Sequence, residues 1–205
     1  EVGKVDVGSY LGLLAWNDIE GVRVQLGLRT NYKFSRKWVL QGQVAYGFTD
    51  TKLKYLASVQ RILSRYRWTT LTFRARRDLS RIGIDSETLA DNTILLALSQ
   101  WGYFRRGFYS DEYRVALHRE LFKGYSQKVA FRYWSFDPTF QFGYLANPED
   151  ANSAVLDSFQ NSEVSIESRY ARDEVFLQDD NNRVSLGTTK WPIITLKYTH
   201  GFSGV

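Results

Sequence analysis

The feature of this sequence that most constrains its fold is an alternation of apolar and polar residues with a period of two. The clearest alternating segments are 22–29, 38–48, 52–60, 68–76, 113–120, 128–134, 163–170 and 194–199. Two more segments, over residues 4–14 and 93–103, alternate less regularly. A period of two places successive side chains on opposite faces of a β-strand, so the sequence predicts an all-β fold of about nine or ten strands.

The two faces of the predicted strands differ sharply in charge. The apolar rows hold 31 positions and no charged residue, whereas the opposite rows hold 34 positions and 14 charges. A soluble sandwich also alternates, but it buries its apolar rows between two packed sheets. A lipid-facing row must be free of charge, because a Lys or Arg at mid-membrane costs about 2–4 kcal/mol. The pattern therefore predicts a transmembrane antiparallel β-barrel.

Strand length, loop length and aromatic placement agree with this interpretation. Many alternating segments are 8–11 residues long, close to the roughly 9–11 that cross a bilayer at a tilt. Short turns separate three longer polar segments, 78–92, 137–161 and 173–191, a pattern typical of outer-membrane barrels. Aromatic residues near the ends of the apolar rows suit interfacial girdles: Trp38, Tyr46, Phe48, Tyr113, Tyr133, Tyr170 and Tyr198.

We expect residues 1–205 to form part of one larger barrel domain in the bacterial outer membrane. Nine or ten strands would leave two open sheet edges, which lipid does not tolerate. The whole barrel would hold roughly 16 strands, within the known size range. The remaining strands would come from residues outside this sequence or from a partner chain. A start at Glu1, without an initiator Met, agrees with an excerpt of a longer protein.

The charged rows predict the lining of the lumen: Arg23, Arg29, Lys52, Lys54, Arg74, Arg76, Arg132, Glu163, Glu167 and Arg169. Three of these, Glu163, Glu167 and Arg169, share one row of one strand. They predict a ladder of salt bridges to neighbouring strands, with a site for a cation or polar substrate as the weaker alternative. Carboxylates four residues apart on a strand are about 13 Å apart, too far for a glycosidase pair.

The sequence predicts no catalytic residue, no cofactor site and no metal site. There is no Cys, so a thiolate site is excluded, and the two histidines, His118 and His200, cannot form a multi-histidine site. A triad of Ser126, His118 and Glu120 can be assembled only on the lumen row, whereas a lipid-acting enzyme needs it on the lipid-facing row. The acidic segments 150–157 and 178–180 lack the ligand spacing of an EF-hand.

Basic residues raise the question of nucleic acid. The net charge is +5, and segment 61–81 holds seven arginines with aromatic residues interleaved, as on a surface for single-stranded nucleic acid. We interpret these arginines as part of a basic lumen wall and of a turn near anionic lipid, and we expect no nucleic-acid partner. A soluble β protein with a basic face for nucleic acid or another polyanion stays open as an alternative.

Three stretches resemble a known family. They are EGVRVQLGLRTN at 20–31 followed by Phe34-Ser35, GQVAYGFTD at 42–50 followed by Lys54-Tyr55, and RYARDE at 169–174 with FLQ at 176–178, RVSLG at 183–187 and WPIITLKYTHG at 191–201. Together they are similar to the barrel region of a Bacteroidetes outer-membrane family of unknown function. The resemblance implies a surface-exposed barrel, a preceding carboxypeptidase-regulatory-like domain and further barrel strands after this chain. It implies no catalytic residues.

The function expected from these observations is non-enzymatic: transport, translocation or envelope assembly in the outer membrane. The expected partners are outer-membrane lipid and other outer-membrane proteins in a complex. Besides the soluble β protein, a lipid-acting outer-membrane enzyme is the second alternative. That enzyme would need a Ser/His pair on the outward row, and the alternating segments contain none.

Overall fold

The computed structural model describes residues 3–8, 12–83, 99–104, 106–147, 153–179 and 181–202. It is all-β, with 69% of residues in strands and antiparallel sheets, which confirms the all-β, antiparallel part of the prediction. Within the described ranges no helix has the length and apolarity required to cross a membrane.

Fourteen strands make up the described fold. They are β1 (Val5–Val7), β2 (Leu14–Asn17), β3 (Gly21–Thr30), β4 (Trp38–Gly47), β5 (Leu53–Ser64), β6 (Thr69–Arg81), β7 (Gly107–Phe122), β8 (Tyr125–Pro138), β9 (Tyr144–Leu145), β10 (Val155–Leu156), β11 (Phe159–Tyr170), β12 (Glu174–Asp179), β13 (Asn182–Thr188) and β14 (Ile194–Phe202). Ten of them form one sheet in the order β1-β3-β4-β5-β6-β7-β8-β11-β14, with β2 also paired to β3. The pairs β9–β10 and β12–β13 are separate two-stranded sheets.

Three predictions about strands need correction or fall outside the described residues. The segment 4–14 is not one strand: β1 and the start of β2 lie in it, and residues 9–11 are outside the described part. Most of the predicted strand 93–103 also lies outside it, in 84–98. The hairpins β9–β10 and β12–β13 lie in segments predicted to be polar loops.

The large sheet is open in the described part of the chain, because β1 and β14 end its strand order and pair with no second neighbour. The sheet nevertheless curls. Arg23 on β3 donates a hydrogen bond to Asp78 on β6 at 2.7 Å, although these strands are three positions apart in the sheet. A flat sheet would separate them by about 14 Å.

The curl gives the sheet a buried inner face and an exposed outer face. The inner face carries Arg23 and Lys54, each 1% exposed, whereas Phe73 and Val115 on the outer face are 46% and 42% exposed. Most positions in the rows of β3 to β8 face as the alternation predicts, whereas Thr69 on the predicted outer row of β6 is buried. This arrangement is the reverse of the usual distribution in soluble proteins, where charged residues are almost never fully buried.

The two ends of the sheet differ in their connections. At one end, here called the turn end, 31–37, 65–68 and 123–124 join consecutive strands. The tightest of them ends at Gly124, whose φ of +82° suits glycine in a two-residue hairpin loop. The opposite end, here called the loop end, carries the connections 48–52, 82–106 and 139–158. Chain 171–193, including β12 and β13, leaves β11 at the turn end.

Candidate functional site on the inner face

A cluster of charged side chains occupies the inner face near the loop end. Lys54 lies 2.7 Å from Glu20 and 2.5 Å from Asp50, and its side chain is 2% exposed. Arg23 lies 3.0 Å from Glu20 and 2.7 Å from Asp78. Each cation therefore bridges two carboxylates that come from different parts of the chain.

A turn before β3 places Glu20 in this cluster. The side-chain oxygen of Asn17 accepts hydrogen bonds from the backbone N–H groups of Ile19 and Glu20, and its amide donates to the Glu20 carboxylate at 2.7 Å. Gly21 follows with a φ of +65°, and a Cβ there would lie 2.1 Å from Thr49 Oγ1. The turn thus requires glycine and aims the Glu20 side chain inward.

Asp50, in the turn between β4 and β5, is held as a carboxylate. Burial acts to raise its pKa, but hydrogen bonds from Lys54, from the Tyr109 hydroxyl at 2.7 Å and from the Lys52 backbone lower it below the ordinary value. Lys52, another predicted lining residue, lies close to Tyr109. It is exposed in the turn before β5, with its ammonium 3.6 Å from the centre of the Tyr109 ring.

Arginines and acids continue across the middle of the inner face. Arg74, Arg114 and Arg132 lie side by side in register on β6, β7 and β8. Arg132 lies 2.8 Å from Glu112 and 3.2 Å from Glu163. The predicted ladder therefore begins with a real ion pair between neighbouring strands.

The other predicted lining residues also find polar partners. Arg76 lies 3.3 Å from Asp78, and Glu167 stands opposite Lys128 and Lys197 in the strand register. Arg29 donates to the side chain of Asn182 at 2.7 Å. Arg169 is different, because its partner Glu174 lies on the β12–β13 hairpin rather than on a neighbouring strand of the large sheet.

A cavity of about 550 Å³ lies at the turn end, between the β12–β13 hairpin and the inner face. Its charged residues are paired: Arg183 lies 2.6 Å from Glu120, and Arg169 lies 2.5 Å from Glu174. Burial acts to raise the pKa of Glu174, but hydrogen bonds from Arg169 and Ser185 and the charges of Arg169 and Arg183 lower it.

The three residues considered as a triad all line this cavity. Glu120 stands opposite Ser126 in the strand register and accepts a hydrogen bond from Arg183, whereas His118 stands opposite Lys128. Catalysis would need His118 directly between the hydroxyl and the carboxylate. The register does not place it there.

The arginines of segment 61–81 do not form one continuous surface. Arg61 lies over the Trp38 ring at 5.1 Å, and Arg65 at the turn end donates to the Arg36 carbonyl at 2.6 Å. Arg77 pairs with Asp111 at 3.6 Å, and Arg81 donates to the Tyr103 carbonyl at 3.3 Å. Because Arg74 and Arg76 lie on the inner face, the seven side chains are divided between faces and ends.

An aromatic cluster that the sequence pattern did not predict lies at the loop end. Phe136 stacks on Phe159 at 4.9 Å and contacts the rings of Phe108 and Phe142 at 4.8 and 5.3 Å. Trp134, Phe140 and Tyr144 extend the cluster. The sequence does contain a signal for this cluster, because aromatic residues occupy every second position from 134 to 144 except 138, beyond the end of the alternating segment.

No group of three or more His, Asp and Glu side chains in the described residues is arranged to hold a metal ion. Within the two acidic segments considered for calcium, residues 150–152 and 180 lie outside the described part of the chain.

Comparison with known proteins identifies a family but no function. The model of the C-terminal domain of a family of unknown function, DUF5686, matches residues 2–205. The searches of curated proteins and of solved structures found no match.

Proposed function

The chain belongs to this family of unknown function, as its C-terminal domain, and from its own geometry we propose that it is part of a transmembrane β-barrel in a bacterial outer membrane. In this proposal the outer face contacts lipid and the inner face lines the lumen. The protein acts without catalysis, in the transport or translocation of polar cargo or in envelope assembly.

The observation that carries the proposal is the exposed apolar outer face. Large apolar side chains on consecutive strands are 37–60% exposed, among them Leu40, Val44, Phe73 and Val115, and the predicted apolar rows contain no charge. The largest apolar patch on a typical soluble monomer is only about 300–600 Å². An apolar face that extends over several strands is stable where lipid replaces water.

The charged residues that end the outer row support the same proposal. On β7, the outer positions Tyr113, Val115 and Leu117 lie between Asp111 and Arg119. The eight residue steps from 111 to 119 correspond to about 26 Å of strand, or about 19 Å of membrane depth at a 45° tilt. That depth is comparable to the roughly 25 Å apolar band of outer-membrane barrels.

The inner face supports a polar lumen. Its arginines, lysines and acids are buried in mutual pairs, which an aqueous interior tolerates and a lipid contact does not. A polar wall with both signs of charge suits hydrophilic cargo and gives no reaction centre.

Spin labels on two adjacent residues of β6 test the proposal. Residues 1–205 contain no Cys, so once any Cys elsewhere in the full-length protein is replaced by Ser, Phe73→Cys on the outer face and Thr72→Cys on the inner face each give one defined label. In full-length protein reconstituted in vesicles, the label at 73 should be reached by oxygen and protected from a water-soluble nickel chelate, and the label at 72 should show the opposite preference.

Fractionation provides the second test. The full-length protein should sediment with the membranes and show heat-modifiable mobility on gels. Recovery in the soluble fraction without detergent, or equal access of the nickel chelate to both labels, would refute the membrane barrel. Those results would favour the soluble alternative with a basic binding face.

A further inference from the structure

The β12–β13 hairpin lies across the turn end of the sheet. It leaves β11, yet the side chain of Asn181 at its tip donates to the Ser35 carbonyl at 2.7 Å and accepts from Arg65 at 2.9 Å. Ser35 lies between β3 and β4, and β4 is five positions from β11 in the sheet. Five strand spacings amount to about 24 Å along the sheet, so the hairpin reaches Ser35 by crossing the inside of the curled sheet.

Polar contacts attach the hairpin at its root and near its tip. Glu174 at the root pairs with Arg169, Arg183 near the tip pairs with Glu120, and Asn182 at the tip accepts from Arg29. The chain before the root is fixed more firmly: Ala171 is fully buried, and its N–H donates to the Gly124 carbonyl at 2.7 Å. The base of the hairpin is therefore fixed to the sheet, and polar contacts hold the rest of the hairpin in place.

Most apolar side chains of the hairpin are exposed. Val175, Leu177, Val184 and Leu186 are 49–64% exposed, although Val184 also lines the cavity. The exception is Phe176, whose ring is covered by the Arg183 guanidinium at 3.9 Å. Undocking would uncover Phe176 and Trp68, which line the cavity under the hairpin, whereas the polar groups released could bond to water instead, which makes the net cost per polar contact small.

We propose that the β12–β13 hairpin is a gate across the turn end of the lumen, held closed chiefly by the Glu120–Arg183 ion pair. This inference rests on the proposed function, since a gate needs a lumen to close. Because the charged groups of the cavity are already paired with one another, the geometry points to ion pairs that hold the hairpin on the sheet rather than to a ligand site.

A distance measurement tests whether the pair holds the hairpin. Spin labels at Tyr66→Cys, on the exposed β5–β6 turn, and at Gln178→Cys, near the hairpin tip, should give one short-distance population in detergent-solubilised full-length protein. Glu120→Arg places two like charges together and should raise the long-distance population at least tenfold. The exchange Glu120→Arg with Arg183→Glu restores opposite charges and should restore the single population.

The exchange is the matched control, because a purely structural disruption by either substitution would not be reversed by the other. An unchanged distance distribution in Glu120→Arg, or a failure of the exchange to restore it, would overturn the gate. The substitution Arg119→Glu, on the exposed outer face of β7, should leave the distances unchanged.

Conductance in planar bilayers connects the hairpin to the lumen. Glu120→Arg should raise the single-channel conductance at least twofold, and the exchange should return it to the wild-type value. A shift in distances without a change in conductance would overturn the gate but leave the membrane barrel standing. A protein that does not insert into bilayers would refute the proposed function, and with it the gate, even if the hairpin moves in detergent.

Discussion

A lysine in the middle of the outer face would separate a lipid-facing wall from a solvent-facing one. Val115 is 42% exposed and lies four residues from Asp111 and four from Arg119, the charged residues that bracket the outer row of β7. Four residues correspond to about 13 Å of strand, or about 9 Å of depth at a 45° tilt. Val115 therefore lies at the midplane of the proposed apolar band.

The expected cost of Val115→Lys follows from this position. A Lys at the midplane of a barrel wall costs about 2–4 kcal/mol, a factor of roughly 30 to 1,000 in the unfolding equilibrium at about 1.4 kcal/mol per tenfold. In water the same substitution at an exposed position would change stability by no more than about 0.5 kcal/mol. The expected loss of stability is therefore several-fold larger in lipid than in water.

Denaturant unfolding of the full-length protein in lipid vesicles, followed by tryptophan fluorescence, measures this cost. Leu117→Lys, two residues nearer to Arg119, should cost less than Val115→Lys, because the penalty falls to about 0–1 kcal/mol near the interface. Val115→Ala controls for the lost side chain. A cost below about 0.5 kcal/mol for Val115→Lys, or equal costs at 115 and 117, would refute the reasoning.

Three further predictions concern the inner face and the hairpin. Lys54→Met should destabilise the protein by about 3 kcal/mol in the same unfolding assay, the lower end of the cost of breaking a buried ion pair, because it removes the cation shared by Glu20 and Asp50 while Arg23 still pairs with Glu20; a loss below about 1 kcal/mol would contradict that account. Gly124→Ala should cost about 1–3 kcal/mol, since it forces a positive φ and brings a Cβ within 2.8 Å of the Ala171 carbonyl, whereas the neighbouring Lys123→Ala should be nearly neutral. The Glu174 carboxylate has a lowered pKa in the folded protein. Its contribution to hairpin docking should therefore be fully present above pH 4.5 and be lost as the pH falls through the lowered pKa. The label distances measure the docked population, and a decline that already begins above pH 5 would contradict the assignment.

The assignment of faces could be read from the sequence because it is a local property. Alternate residues of a strand point to opposite sides whatever the strand pairs with. Most positions of the predicted rows of β3 to β8 therefore match the exposed and buried faces, although Thr69 at the start of β6 is buried. Lys52 lies in the turn before β5 rather than in the strand, and such element boundaries carry the weakest sequence signal.

In the polar segments 137–161 and 173–191, the local sequence pattern was insufficient to predict the strands. Each contains a short hairpin that pairs only with itself, and strands of two to seven residues are too short for a clear period. The aromatic residues from Trp134 to Tyr144 alternate, but no local rule shows that they meet Phe108 and Phe159 at the loop end.

By itself the sequence determined the all-β class, the long strands, and a charge-free row opposite a charged one. Only the tertiary structure decided which charges pair. Arg23 meets Asp78 across 55 residues of chain, and Arg29 meets Asn182 across 153. Such contacts depend on strand register, on the curl of the sheet and on the path of the β12–β13 hairpin. Backbone alternation is set by neighbouring residues, whereas these pairings are set by the way the curled sheet and the hairpin bring distant strands together.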